Sequence, residues 1–269
     1  MTVAAISRWQ EDALVPVEDC ELSPSETLAA DSWLVVDGAV LALELHRSRF
    51  AAAVAGRVDE KPLSAFWDAA IAAIPRTGDW FPRVELRSGA AGPALLFRLR
   101  PAPQRHRSVR LATHRGDDPR TAPGVKGPAT EALARARTSA QERGADEAVM
   151  LSPEGYVVEG AFSALLWWRG GFLCVPSDDL IRVDSVTARS VLALAAAFGV
   201  DVHRESVTPA ELDGLEVWSV SALHGIRIVT GWVDGPLTAE EPGRLRDWVA
   251  RLERLRKPLP ADDPVISTH

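Results

Sequence analysis

The sequence is most informative in two segments, GVKG at residues 124–127 and GADEAVMLSPEGYVVEGA at residues 144–161. In the second segment, apolar runs on both sides of Gly155 predict two short strands joined by a turn. In the first, Lys126 stands among small residues that leave room for a ligand, directly before a predicted helix. Lys126 is therefore the first candidate for a chemical role.

Lysine is rare in this chain, since only Lys61, Lys126 and Lys257 among its 30 basic residues are lysines. Lys61 lies in a polar stretch before a predicted helix. Lys257 lies at the end of the predicted terminal helix, where a cation favours the helix dipole. An amine forms a Schiff base with a carbonyl group, whereas a guanidinium does not. Lys126 suits this chemistry, although on this ground alone an exposed loop lysine is the better explanation.

Other motifs lie at matching intervals. Asp146 and Glu159 follow Lys126 by 20 and 33 residues, HRSR at 46–49 begins eight residues after Gly38, and VDSVTAR spans 183–189. In these features the chain resembles the fold-type IV (class IV) pyridoxal-phosphate enzymes, namely branched-chain and D-amino-acid aminotransferases and aminodeoxychorismate lyase. The resemblance extends over about residues 33–235. The interval from lysine to glutamate is its most specific part.

The resemblance implies a role for each matching residue. Lys126 would be the catalytic residue, binding pyridoxal 5'-phosphate covalently and moving the α-proton of the substrate. Glu159 would contact the pyridine nitrogen and keep it protonated. The phosphate would be bound by a guanidinium fork, by amides at a helix N-terminus and by a second loop, which correspond to Arg49, Val186, Thr187, Ser221 and Ala222. Candidates for substrate binding are Ser32, Arg87 and Arg98, the arginines being among those that alternate along two predicted strands.

The implied activity is the transfer of an amino group between an amino acid and a 2-oxo acid by a homodimer. Two alternatives stay open: aminodeoxychorismate lyase, which releases 4-aminobenzoate and pyruvate, and a non-catalytic relative. They stay open because the chain departs from the family near the substrate. The family's Asp-Gly-x-Phe-Glu-Thr is replaced by ETLAADS at 26–32 and its Asn-x-Phe by ALL at 164–166. No tyrosine follows Lys126 at the spacing seen in branched-chain aminotransferases, and the one tyrosine of the chain is Tyr156.

Both the patterns and the resemblance indicate an α+β protein of two domains. The resemblance implies a small N-terminal α/β sandwich and a larger C-terminal pseudo-barrel. We place the first domain at residues 1–113, an interdomain loop rich in Pro and Gly at 114–125, and the larger domain, with the cofactor lysine, at 126–269. A hairpin turns at Asp37-Gly38. Helices are predicted at 46–55, 62–74, 130–143, 186–198 and 239–256.

Composition excludes several classes of function. The 269 residues carry a net charge of -7, which disfavours binding to nucleic acid or acidic membranes. No apolar run is long enough for a secretory leader or a membrane span, so we expect a cytoplasmic protein. The histidines lack metal-ligand spacing, and no nucleotide-binding or hydrolase motif is present. Cys20 and Cys174 are predicted to be buried free thiols.

Overall fold

The computed structural model describes residues 5–18, 25–89 and 92–261, and the chain divides into two compact units. Unit 1 comprises Met1–Pro103 with Arg256–His269, and unit 2 comprises Gln104–Leu255. This division lies ten residues before the predicted domain boundary and assigns the C-terminal end to unit 1. The segment 114–125 contains no helix or strand, but it belongs to unit 2.

The described residues form five α-helices and 17 strands. In chain order these are β1 (Ala5–Gln10), β2 (Ala13–Pro16), β3 (Thr27–Ser32), β4 (Val35–Val36), β5 (Ala39–Leu41), α1 (Leu43–Val54), α2 (Glu60–Ala72), β6 (Asp79–Trp80), β7 (Arg83–Arg87), β8 (Ala94–Leu99), β9 (Ser108–Thr113), α3 (Thr130–Glu142), β10 (Glu147–Leu151), β11 (Val157–Gly160), β12 (Ala164–Arg169), β13 (Phe172–Pro176), α4 (Val186–Ala197), β14 (Val202–Glu205), β15 (Glu216–Ser221), β16 (Gly225–Val233), α5 (Arg244–Glu253) and β17 (Arg256–Pro258). The mixture of helices and sheets confirms the predicted α+β class.

Unit 1 contains two antiparallel sheets and the helices α1 and α2. The larger sheet has the strand order β2-β1-β8-β7-β3, and the smaller has the order β17-β5-β4-β6. α1 contacts β3, and α2 contacts β2. Val84 and Leu86 of β7 are completely buried, and the buried rings of Trp33 and Trp67 lie 5.0 Å apart. Because side chains alternate along a strand, the arginines of β7 lie on the opposite face of the sheet.

The predicted hairpin is present between β4 and β5. Asp37 and Gly38 both have positive φ, 45° and 74°, which a two-residue turn of this kind requires. The strand after the turn ends at Leu41, because Ala42 adopts a left-handed conformation. α1 therefore begins at Leu43 rather than at His46.

Unit 2 is built on one mixed sheet of eight strands, in the order β11-β10-β9-β16-β15-β12-β13-β14. β9 pairs in parallel with β10 and β16, and β13 pairs in parallel with β14. α3 packs on β10, α4 on β15 and α5 on β16. A mixed sheet is what the succession of strands with few helices predicts.

An aromatic cluster joins α5 to the sheet of unit 2. The ring of Trp248 on α5 meets those of Trp168 and Trp218 edge-on, with centroids 5.3 and 5.7 Å away. The two sheet residues are themselves 5.3 Å apart. All three side chains are buried, so the cluster packs α5 against the sheet through aromatic contacts.

Two predictions about this part of the chain are wrong. The terminal helix begins at Arg244 instead of residue 239, because Gly243 immediately before it has φ 86° and interrupts the helical backbone. It ends at Glu253, and the chain continues into β17. Lys257 therefore lies in an edge strand that pairs with β5, not at a helix end. Lys257 therefore has a structural explanation in the pairing of β17 with β5 and not in a helix dipole.

Candidate active site

Lys126 lies in the loop between β9 and α3, four residues before Thr130. Gly127 follows it with φ 129°, a conformation that favours glycine. The backbone N–H of Thr130 and its hydroxyl both donate to the carbonyl oxygen of Gly127, at 3.0 and 2.6 Å. The loop is thus tied to the first turn of α3, which fixes the backbone beside the partly exposed Lys126 side chain.

Glu159 is the predicted site residue that the structure brings near Lys126. It lies on β11 and is only 6% exposed. Burial raises the pKa of Glu159 to about 7, while the charges of Arg120 and Lys126 act in the opposite direction. A carboxylate in this environment favours a further cationic partner, because a cation would offset the cost of burying its charge.

Two charged side chains, Arg120 and Asp118, lie next to Glu159, and we call these three residues the acidic centre. The sequence patterns did not identify Arg120 or Asp118. Nη1 of Arg120 donates to Oε1 of Glu159, and the backbone N–H of Val183 donates to Oε2 at 3.3 Å. Asp118 accepts from Nε and Nη2 of Arg120, at 2.9 and 2.6 Å. Both missed residues lie in the segment assigned to an interdomain loop. The charged residues at 117, 118 and 120, shortly before Lys126, were the available signal.

Val186 and Thr187 form the first turn of α4, and each is 2% exposed. Ser185 caps this helix, its Oγ accepting from the N–H of Ala188 at 3.2 Å. First-turn amides have no acceptor within their own helix, so they suit an anion. Because Val183, three residues earlier, binds Glu159, the predicted anion site and the acidic centre lie close together in unit 2.

Ser221 and Ala222 lie at the turn that joins β15 to β16. The Oγ of Ser221 accepts from the backbone N–H of His224 at 3.3 Å. The hydroxyl oxygen therefore stabilises the turn, and both residues are partly exposed. They are at the place where the resemblance puts a second phosphate loop.

Arg49 lies in unit 1, on α1, and its guanidinium is bound by a buried aspartate. Nε donates to Oδ2 of Asp31 and Nη2 donates to Oδ1, each at 2.8 Å. Nδ1 of His46 lies 2.8 Å from the same Oδ1. Asp31 was not predicted as a site residue, although a carboxylate within the otherwise uncharged run from Leu28 to Val36 was a signal.

The proposed substrate residues Ser32 and Arg98 lie on one row of the larger sheet in unit 1. Ser32 pairs with Arg83 on β7, and Arg83 pairs with Arg98 on β8, so the three side chains share one face. The hydroxyl of Ser32 is buried and has no hydrogen-bond partner among the described residues. Glu85 on the neighbouring row accepts from Nε of Arg98 at 3.2 Å and also from Nε of Arg83.

Arg87, the third predicted substrate residue, lies at the end of β7. It donates from Nε to the hydroxyl of Ser25 at 2.9 Å and from Nη2 to the carbonyl oxygen of Ser25 at 2.7 Å. Nη1 lies 3.7 Å from Glu85. Arg87 therefore anchors the segment before β3.

The described residues also bear on metal binding, membrane spans and the cysteines. They contain no group of three or more His, Cys, Asp or Glu side chains arranged to bind a metal ion. None of their helices combines the length and apolarity that crossing a membrane requires. Cys174 is a buried free thiol, as predicted, and burial raises its pKa to about 11. Cys20 lies outside the described residues.

Two curated relatives match a short part of the chain. A probable branched-chain-amino-acid aminotransferase of Synechocystis sp. is 29% identical over 79 residues, which is 29% of this chain and 26% of the relative. A branched-chain-amino-acid aminotransferase of Pseudomonas aeruginosa is 35% identical over 69 residues, 26% of this chain and 22% of the relative. The chain thus spans about a quarter of the length of the curated relatives it matches.

A likeness in fold extends over nearly the whole chain. The structure of the branched-chain amino acid aminotransferase from Escherichia coli superimposes with a TM-score of 0.76 at 16% identity, covering 94% of this chain and 92% of that one. This confirms the predicted fold type. The family model for amino-transferase class IV matches residues 28–232, which contain the Lys126 loop, Glu159 and the start of α4. Over these residues, the motifs and the fold agree that the chain belongs to the class IV aminotransferase family.

Proposed function

We propose that the protein is a pyridoxal 5'-phosphate-dependent aminotransferase that moves an amino group between an amino acid and a 2-oxo acid. The observation that supports this most directly is the approach of Lys126 to a buried carboxylate, Glu159, whose pKa is raised to about 7. An amine and a carboxylate with a perturbed pKa, beside a helix N-terminus, are typical of a catalytic centre.

The residues present fit this cofactor. Lys126 supplies an amine for the aldehyde carbon. Glu159 already accepts one hydrogen bond on each oxygen, and a carboxylate oxygen has a second lone pair that can accept from a protonated ring nitrogen. The amides of Val186 and Thr187 suit the phosphate, because a helix N-terminus stabilises negative charge.

The cofactor supplies an electron-accepting ring, which stabilises the charge left when a bond to the substrate α-carbon breaks. Lys126 accepts the α-proton on Nζ and returns it to a different carbon, so the same amine serves as general base and general acid. Glu159 holds a proton at the ring nitrogen by electrostatic attraction. Arg120 and Val183 fix the carboxylate in position, and Asp118 in turn fixes Arg120.

We infer that the carboxylate of the substrate binds the arginine-bearing face of the larger sheet in unit 1. Arg83, Arg87 and Arg98 surround a single acidic side chain, Glu85, so this cluster has an excess of positive charge. The partnerless hydroxyl of Ser32 on the same face offers a donor to a carboxylate oxygen. These features favour a substrate with at least one carboxylate.

The same geometry accommodates aminodeoxychorismate lyase as a second candidate, because that reaction begins with the same amine and the same carboxylate. The replacement of Asn-x-Phe by Ala164, Leu165 and Leu166 is the observation that keeps the lyase and the non-catalytic relative open.

We also propose a homodimer. A mass in solution of twice 29.0 kDa, measured by light scattering, supports the dimer, and the mass of one chain contradicts it.

The experiment supplies the purified protein with pyridoxal phosphate and a panel of amino acids. An aminotransferase releases a 2-oxo acid from the donor, and continued turnover requires a 2-oxo acid acceptor. Release of pyruvate from aminodeoxychorismate without any acceptor indicates the lyase instead. Neither product, from protein that has taken up the cofactor, indicates the non-catalytic relative.

A further inference from the structure

A cavity of about 710 Å³ lies in unit 2 between α5, the start of β16 and the residues before β9. Most of its exposed wall is apolar, and this part consists of Ile226 on β16 and of Leu245, Val249 and Ala250 on α5. A small-molecule site typically has this size and combines an apolar wall with a few polar groups. None of the described residues that line the cavity is among those proposed to hold the cofactor or the substrate. The cavity is therefore a candidate for a second site.

His224 lines this cavity as a neutral imidazole with a defined tautomer. Burial lowers the pKa of His224 to about 3, and the charges of Arg227 and other nearby cations act in the same direction. The backbone N–H of His106 donates to Nδ1 of His224 at 3.2 Å, so the ring hydrogen is on Nε2. The described residues offer no acceptor to this hydrogen. Nε2 of His224 is therefore a hydrogen-bond donor for a ligand.

Arg107 brings a positive charge to the same cavity. Its side chain is exposed, and its guanidinium makes no hydrogen bond or ion pair with the described residues. The guanidinium is therefore available to a ligand. Leaving its histidines aside, the wall carries three positive and two negative side chains, namely Arg105, Arg107, Arg246, Glu240 and Glu253. The surplus of positive charge favours an anionic ligand.

We propose that this cavity binds a small organic acid, whose carboxylate contacts Arg107 and Nε2 of His224 while its apolar part lies against α5 and Ile226. The two polar groups suit a carboxylate, because a guanidinium and a neutral imidazole N–H both donate hydrogen bonds and neither accepts one. The apolar wall favours a hydrocarbon chain or ring, because contact with it removes apolar surface from water. An uncharged compound of the same shape would bury the same surface without the charged contact.

A cleft that holds only water, with an apolar wall and no selective donors, predicts a different result. Acids and alcohols of the same shape would then adsorb to the wall equally weakly. A site for an organic acid distinguishes the two, because only the acid offers a carboxylate to Arg107. The comparison of 4-phenylbutanoate with 4-phenyl-1-butanol therefore separates the two explanations, since these compounds differ only in the charged group.

The test measures binding of both compounds by isothermal titration calorimetry to the full chain supplied with pyridoxal phosphate. We expect wild type to bind the acid about tenfold or more tightly than the alcohol. Arg107→Glu should weaken the acid by about tenfold or more and leave the alcohol unchanged. Arg135→Glu is the matched control, since it makes the same change of charge at an exposed arginine of α3 that does not line the cavity. Val249→Phe fills part of the cavity and should weaken both compounds.

Equal affinity of wild type for the acid and the alcohol overturns the proposal, and so does the absence of binding. If Arg98→Gln weakens the acid while Arg107→Glu does not, the acid binds the face proposed for the substrate, and the cavity is not its site. Arg107 and Arg135 are exposed, so both charge variants should fold, and their comparison decides the matter even if Val249→Phe does not fold. These outcomes concern only the cavity and leave the proposed function untouched.

Discussion

Nη1 of Arg120 donates to Oε1 of Glu159 inside unit 2, where the two side chains are only 5% and 8% exposed. The pair explains how a carboxylate is kept on β11 beside Lys126, since an isolated buried charge is costly. Asp118 also binds Arg120, so the positive charge of the guanidinium lies between two carboxyl groups. The residues form a short line of alternating charge that ends at the proposed cofactor site.

Replacing Arg120 by glutamine should destabilise the protein strongly at pH 8. Glu159 would then be a buried carboxylate without its cationic partner, a change that typically costs about 3 to 5 kcal/mol. At pH 5 the cost should be smaller, because Glu159 takes up a proton. Urea denaturation at the two pH values measures the difference. Arg115→Gln, which removes an exposed ion pair with Asp234, should change stability little at either pH.

The raised pKa of Glu159 should make the protein without cofactor less stable as the pH rises. Its pKa is about 7 in the folded chain and 4.5 in the unfolded chain, so between these values the folded chain keeps a proton that the unfolded chain loses. The free energy of unfolding therefore falls with pH in this window, by about 3 kcal/mol in total. In Glu159→Gln this part of the fall should be absent. If the free energy of unfolding changes with pH in the same way for both proteins from pH 4 to 8, the raised pKa is contradicted.

Trp248→Ala should reveal how much the aromatic cluster stabilises unit 2. Removing a buried tryptophan from two edge-on neighbours typically costs about 3 to 5 kcal/mol. Thermal denaturation should show a large drop in midpoint. Arg246→Ala removes an 81% exposed side chain from the same helix, and a similar drop in this control would show that the helix, not the cluster, is responsible.

Arg98→Gln should weaken binding of the substrate without affecting the cofactor. If the arginine-bearing face binds a substrate carboxylate, loss of one charged donor raises KM by about tenfold or more. Affinity for pyridoxal phosphate should stay as in wild type. Arg57→Gln is the control, since Arg57 is an exposed arginine in the turn after α1. An unchanged KM in Arg98→Gln would remove this residue from the substrate site.

The sequence predicted most elements whose apolar pattern is strong, including α1, α2, α3, α4 and the strands β10 and β11. It missed β3, because Asp31 and Ser32 interrupt the apolar alternation there although both are buried. Their burial depends on partners far along the chain, which local pattern does not show. It also extended the terminal helix to residue 256, the first residue of β17, since the pairing of β17 with β5 is a contact between residues more than 200 positions apart.

A site residue could be predicted from the sequence where the proposed chemistry requires one particular residue type. Lys126 and Glu159 stand at a characteristic interval, and the structure brings them together in unit 2. Arg120, Asp118 and Asp31 act through other side chains. Their local sequence shows only that charges stand shortly before Lys126 and within an apolar run, and it does not show that these charges are bound to other side chains. Their roles become visible only once burial and hydrogen-bond partners are known.

The most direct measurement of the central claim is the visible absorbance of the purified chain with pyridoxal phosphate, compared between wild type and Lys126→Ala. We predict that wild type develops the absorbance of lysine-bound cofactor and that Lys126→Ala does not. Lys61→Ala and Lys257→Ala, which remove the other two lysines, should match wild type. Absorbance that persists unchanged in Lys126→Ala, or its absence in wild type, would contradict the assignment of Lys126 as the cofactor lysine.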